Sequence, residues 1–245
     1  MKILSVLKSI AILAACAFAQ AQTDVTVYTY NDRPPFVVDK AKQDGLEYRL
    51  CQWLTKASGT YRFNLKVIPA PEAKALVEKG EMKGVLLGVN KVWFPEAVRT
   101  SNLWTPAILW DRNLVVSMDA KKVEYAGPGS LAGLRLAGVA GFVYPALTDA
   151  VKAGRIQRLD CGSEILALEA MAAGKADVTI VSEWTLMYAQ LRLDIKGNFY
   201  QSNKPFLEFE RVILVPPSMK ALHEHLSKLL ADVRKNPGWQ EATSL

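Results

Sequence analysis

The sequence predicts an α/β protein made of two similar halves, each a mixed, mostly parallel sheet flanked by helices. Segments that alternate apolar with polar residues trade places along the chain with segments whose apolar residues recur at helical spacing. Val85 to Val89 and Asp177 to Val181 each read as a short strand buried on both faces, the habit of a parallel sheet. A chain of 245 residues, 50% apolar and 22% charged, is long and hydrophobic enough for one domain or two small lobes.

The elements follow in order. Val25 to Tyr30 alternates and reads as a strand, and Leu46, Leu50, Trp53, Leu54 and Ala57 then mark a helix with Trp53 in the core. Arg62 to Ile68 is a second strand. A helix from Pro71 to Lys79 opens on proline, stops at Gly80 and leads into Val85 to Val89. This is a βαβαβ unit, whose crossovers are expected to be right-handed. In the second half, Leu134 to Val139 is a strand, Pro145 to Ala153 a short helix and Ile156 to Leu159 a strand. Ser163 caps a helix that ends at Gly174, before Asp177 to Val181. Asn113 to Ser117 links the halves, Arg211 to Val215 brings the chain back, and one helix is expected from Ser218 to Lys235.

Composition excludes several function classes. The formal charge of +6 includes Lys2 and Lys8, and the body beyond residue 21 holds 28 basic against 24 acidic residues, scattered without a basic-aromatic stripe. A nucleic-acid partner is therefore not expected. His223 and His225, two apart on a helix, point to different faces. No metal site, no cofactor and no Ser-His-Asp triad follow from such a set.

The N-terminus reads as an export signal. Lys2 and Lys8 precede an apolar stretch from Ile10 to Phe18, and Ala19-Gln20-Ala21 offers a small-residue cleavage site, so residues 1–21 are expected to be removed. The stretch is too short to span a hydrocarbon core of about 30 Å. Leu13-Ala14-Ala15-Cys16 is a competing signal, a bacterial lipobox that would lipidate Cys16. Either signal places the body in the periplasm. Cys51 and Cys161 read as buried small hydrophobes, with a disulfide as the alternative.

Several segments then resemble one family. Asn31-Asp32-Arg33-Pro34-Pro35-Phe36 followed by Gly45-Leu46-Glu47, Ser101-Asn102-Leu103-Trp104, Gly138-Val139-Ala140-Gly141 and Ala173-Gly174-Lys175-Ala176-Asp177 occur in the order seen in bacterial extracellular solute-binding proteins of family 3, the amino-acid-type receptors of ABC importers. The resemblance implies a two-lobed type II periplasmic binding protein fold, with lobe one at residues 22–111 plus 206–245 and lobe two at residues 112–205. It also implies a small-molecule solute held between the lobes, an ABC permease in the inner membrane as partner, and a monomer.

Carried over by position, the resemblance selects Tyr30, Asp32, Arg33 and Phe36 after the first strand, and Asn90, Trp93 and Phe94 after the third, as ligand-binding residues. In lobe two it selects Gly141, Phe142 and Tyr144 at a helix start, and Ser182 and Glu183 after the last buried strand. Arg33 stands where the family has a stacking aromatic. The family's carboxylate-binding arginine is absent from Val92-Trp93-Phe94-Pro95-Glu96-Ala97, so Arg33 is expected to replace it. Backbone N–H groups near Gly141 would hold an anion. Glu183, beside the family's cation-binding position, is expected to face Arg33 across the cleft as the opposite charged end. Each residue has a plainer alternative: Arg33 as a surface turn, Glu183 as an acid favoured by a helix dipole, the aromatics as core.

The function implied is a periplasmic receptor for a small polar or zwitterionic solute. An enzyme on the same fold, such as a cyclohexadienyl dehydratase-like lyase with a carboxylate general acid, and an orphan sensory binding protein stand as alternatives. The export signal gives a first prediction. Intact-mass analysis of the secreted protein is expected to show a chain starting at Gln22, whereas a diacylated chain starting at Cys16 would overturn the cleavage assignment.

Overall fold

A computed structural model of the chain describes residues 21–195 and 197–245; residues 1–20, with most of the expected export signal and Cys16, lie outside the described residues. The first strand, β1 (Thr23–Thr29), is followed by helix α1 (Leu46–Ser58), β2 (Tyr61–Val67), α2 (Ala70–Glu78) and β3 (Val85–Val89). Both β2 and β3 run parallel to β1. α1 begins at Gly45, whose φ of 136° and whose Cα packed against the Phe36 carbonyl leave no space for a side chain: an added Cβ would lie 2.5 Å from that oxygen. The first helical N–H groups, of Leu46 and Glu47, donate to the carbonyls of Pro35 and Phe36. The turn after β1 is thereby tied to the start of α1.

Short α3 (Glu96–Ser101) and β4 (Leu103–Trp104) lead into the long strand β5 (Leu109–Met118). Lobe two continues with β6 (Arg135–Val139), α4 (Thr148–Lys152) after a 3-10 turn at Pro145–Leu147, β7 (Gln157–Cys161), α5 (Glu164–Ala172), β8 (Val178–Ser182), α6 (Glu183–Arg192) and β9 (Phe199–Gln201). Ser163 caps α5, its hydroxyl accepting from the Leu166 N–H at 3.1 Å. The chain returns on β10 (Leu207–Val215) and ends with α7 (Lys220–Leu230) and α8 (Pro237–Ala242).

The strand order is β2-β1-β3-β10-β5-β8-β6-β7. In lobe one β1, β2 and β3 are parallel, and in lobe two β6 is parallel to β7 and β8. Between them β5 and β10 pair antiparallel, from Leu207 opposite Asn113 to Arg211 opposite Leu109. At Val212 β10 changes partner to β3. The pairing therefore passes from lobe to lobe through two crossing strands. Trp53 lies in the lobe-one core with Leu50 and Leu54, while Leu136, Leu147 and Ile180 pack in lobe two.

The expected single helix from Ser218 to Lys235 is a correction. A 3-10 turn at Pro217–Met219, α7 and a second 3-10 turn at Val233–Lys235 replace it. The break lets Pro237 start α8 in a new direction, which brings the Trp239 indole N–H to the Ile108 carbonyl at 2.9 Å. Cys51 is buried on α1 and Cys161 ends β7, both as free thiols. Alkylation of the unfolded mature chain, without prior reduction, is expected to label two cysteines; labelling of none would reveal a bridge.

Candidate functional site

Ligands of open α/β sheets bind outside the carboxyl ends of the strands. Here those ends converge from both lobes. The turn after β1 carries Tyr30 to Phe36, the segment after β3 carries Asn90 to Phe94, and lobe two contributes residues 140–144 after β6, Gly162 to Glu164 after β7, and Ser182 with Thr185 after β8.

A chain of buried polar groups crosses this region. The Arg211 guanidinium donates from Nε and Nη2 to Asp111 Oδ2 at 3.0 and 2.7 Å, and from Nη1 to the Gly88 carbonyl at 2.8 Å. Its carbon lies 4.6 Å from the centre of the Phe36 ring. The Ser182 hydroxyl lies 2.9 Å from both Asp111 carboxylate oxygens, and the Arg112 backbone N–H donates to Oδ1. On the lobe-one side the Asn31 amide donates to Glu47 Oε1 at 2.7 Å. Gly88, at φ 74°, allows this approach, because a Cβ there would lie 2.5 Å from Glu47 Oε1 and 2.7 Å from Asn31 Nδ2.

Burial dominates the ionisation of Glu47 and Tyr30. It pushes the Glu47 carboxyl up to about 7, against the opposing pull of hydrogen bonds from Thr29 and Asn31 and the charges of Arg211 and Arg33. Glu47 Oε2 is buried without a hydrogen-bond partner among the described residues. Burial likewise raises the Tyr30 phenol to about 12, with Arg211 acting against it.

Across the cleft the lobes meet through ions. Arg33 Nε lies 3.3 Å from Glu164 Oε2. Glu164 is fixed from its own lobe by the Thr185 hydroxyl, 2.6 Å from Oε2, and by the Ser182 backbone N–H, 3.2 Å from Oε1. The Arg33 guanidinium sits near the rings of Phe36 and Phe142. Glu183, the expected partner of Arg33, instead takes both ends of the Arg112 guanidinium. Side chains alternate across a strand, so Arg112 and Trp110 of β5, with Glu208 and Glu210 of β10, face away from Asp111 and Arg211. They line a cavity of about 450 Å³ behind the crossing strands, together with Glu183 and Arg234.

The other selected residues divide by position. Trp93 meets Phe209 edge to face at 5.3 Å and lies 5.7 Å from the Arg211 guanidinium carbon. Asn90 ties its segment down, its amide donating to the Glu210 carbonyl while its oxygen accepts from the Val92 N–H. Gly141 and Phe142 are exposed at the lobe-two lip. Phe94 is buried in a lobe-one core with Trp104, and Tyr144 in the lobe-two core with its hydroxyl accepting from the Val139 N–H. Asp32 pairs with Lys40 at the surface. Sequence reasoning did not select Glu47, Asp111, Glu164 or Arg211. Only Glu47 carried a signal, standing in the Gly45-Leu46-Glu47 segment.

No protein-family model matches the chain, and no curated protein does. Solved structures match at low identity over most of their length. A probable amino-acid ABC transporter extracellular-binding protein of Bacillus subtilis superposes with a TM-score of 0.71 at 14% identity, over 91% of this chain and 97% of that one. The GluR0 ligand-binding core of Nostoc punctiforme, in complex with L-glutamate, gives 0.66 at 16% identity over 89% and 96%. A histidine kinase sensor domain with similarity to periplasmic binding proteins gives 0.66 at 18% identity over 90% and 94%. The chain has the two-lobed type II periplasmic binding protein fold that its sequence implied.

Glu47 generates a prediction about pH. A folded-state carboxyl held above its ordinary value stabilises fully below about pH 4.5, and that contribution is lost as pH rises through about 7. Urea unfolding between pH 5 and 7.5 is expected to show stability falling by about 2 kcal/mol from this group. Glu47→Gln is expected to flatten that slope; an unchanged slope in the variant would assign the pH dependence elsewhere.

Proposed function

We propose that the chain is a periplasmic receptor, resembling solute-binding family 3, that captures a small polar or zwitterionic, amino-acid-like solute between its lobes for ABC-type uptake. The observation that carries this reading is the meeting of oppositely charged side chains from both lobes at the strand carboxyl ends, half-buried Arg33 from one and buried Glu164 from the other. A zwitterion supplies both charges with partners when the lobes close on it, which solvent no longer does. Two crossing strands suit such closure, because small rotations in a few residues swing one lobe on the other. Among the described residues no helix is long and apolar enough to cross a membrane.

A sensory role is the second reading, favoured by the likeness to a histidine kinase sensor domain. It shares the binding event and differs in the partner that reads it. A lyase acting on a prephenate-like substrate is the third. The mature domain is to be screened by thermal shift against amino acids, small peptides, polyamines and organic acids. A cognate solute at 100 times its dissociation constant adds about 2.7 kcal/mol, and the melting temperature is expected to rise by roughly 5 to 10 °C. An unmoved melting temperature with every solute, together with turnover of prephenate, would replace the receptor reading by the enzyme.

A further inference from the structure

The Arg33 guanidinium is held as a bound cation would be. Its central carbon lies 5.3 Å from the Phe36 ring of lobe one and 5.6 Å from the Phe142 ring of lobe two. Both distances fall within the range in which an aromatic face attracts a cation. Beneath it lies the Glu164 carboxylate, whose side chain is 5% exposed. Thr185 and the Ser182 N–H fix that carboxylate from within lobe two, whatever cation faces it.

The two sides of this contact differ in quality. Glu164 is pinned by neutral donors that leave its charge intact, and a buried charge without a counter-ion is strongly unfavourable. Arg33 is placed more loosely. It stands on the turn after β1 with its side chain 22% exposed, and its buried Nε points at no well-aligned acceptor although Glu164 is 3.3 Å away. Two neighbouring arginines are committed elsewhere, Arg211 to Asp111 and the Gly88 carbonyl, Arg112 to Glu183. Of these three cations Arg33 is the one free to leave.

We infer that Phe36, Phe142 and Glu164 form a subsite for the guanidinium or primary ammonium group of a solute, and that Arg33 occupies it as an intramolecular competitor. The subsite rests on the receptor reading and deepens it, since it names the chemical group the solute must bring. A tethered competitor acts at the millimolar effective concentration of a short linkage. The observed affinity of a cationic solute is the intrinsic affinity reduced by the fraction of protein in which Arg33 has withdrawn. When it withdraws, its own charge becomes available to an anionic group on the same solute.

The probe is methylguanidinium, an arginine head group without its backbone. Arg33→Gln keeps most of the side-chain volume while removing the competing cation. By calorimetric titration and thermal shift, Arg33→Gln is expected to bind methylguanidinium at least tenfold more tightly than the wild type. Adding Glu164→Gln is expected to abolish that gain, and Glu164→Gln alone reads the same dependence should the double variant fold poorly. A variant no more responsive than the wild type, or a gain that survives loss of the Glu164 charge, would overturn the subsite. The solute screen reports separately: methylguanidinium binding to Arg33→Gln, with no stabilising natural solute and with turnover of prephenate, would leave the subsite standing and replace the receptor by the enzyme.

Discussion

The ion pair of Arg211 and Asp111, buried where the chain crosses between lobes, constrains the rest of the structure. Their side chains are 2% and 0% exposed, a burial that costs each ion several kcal/mol unless its hydrogen-bonding positions are filled. They are filled from every strand at the centre of the sheet. β3 offers the Gly88 carbonyl, β8 ends in the Ser182 hydroxyl, and the crossing strands supply the ions themselves. Removing one partner of such a pair typically costs about 3 to 5 kcal/mol, because the other charge stays buried. The register of β5 on β10, the Gly88 carbonyl and the placement of Phe36 under the guanidinium all serve this one contact. Glu47 lies in the same region and is shifted toward neutrality by the burial that the pair requires.

Much of the fold was legible because burial on both faces writes a strong signal. Val85–Val89 reads directly as β3, and α1 as an amphipathic helix with Trp53 inward. The crossing strands are legible as extended segments near Trp110 to Ser117 and Lys204 to Val212, where the family resemblance places the crossovers, and only in part from residue pattern. Asn113 to Ser117 and Arg211 to Val215 were visible as apolar runs, whereas Leu109 to Arg112 and Leu207 to Glu210 carry charges that resemble a loop. They are strands because their even-numbered side chains face the cavity behind the crossing strands, where Arg112 and Glu183 pair and charge is tolerated. The C-terminal helix was misread for another reason. Leu222, Leu226, Leu230 and Val233 are all buried, so the apolar spacing is genuine, but it continues across a change of direction that spacing alone does not register.

The site was less legible because its residues are joined by the fold and not by sequence distance. Asp111 and Arg211 stand 100 residues apart, and each reads alone as an ordinary charge in a strand. Glu164 is the first residue of a capped helix, a position where an acid is favoured by the dipole without any ligand. Arg33 was selected by its place in the turn after β1, yet its partner depended on which lobe-two acid the sheet turns inward. Glu183 follows β8 at the point where the chain leaves for the back of the crossing strands, so it meets Arg112; Glu164, after β7 and two strands further over, meets Arg33.

The unequal burial of the two ion pairs dictates how the lobes can move. Separating Arg33 from Glu164 exposes both to water, and an ion pair with a partly exposed, poorly aligned arginine loses little when hydration replaces it. Separating Arg211 from Asp111 returns neither group to water while the central strands stay paired, and the full desolvation cost stands uncompensated. If the lobes open as the proposed function requires, the outer pair would break and the inner one be spared, with the axis of rotation close to Arg211 and Asp111. Residues near that axis, Trp93 among them at 5.7 Å from the Arg211 guanidinium carbon, would shift least, and Phe142 at the lip of lobe two would travel further. In the receptor proposed above, a solute would meet a fixed ionic floor at Arg211 and Asp111, and Arg33 and Glu164 would be the charges that part when the lobes open.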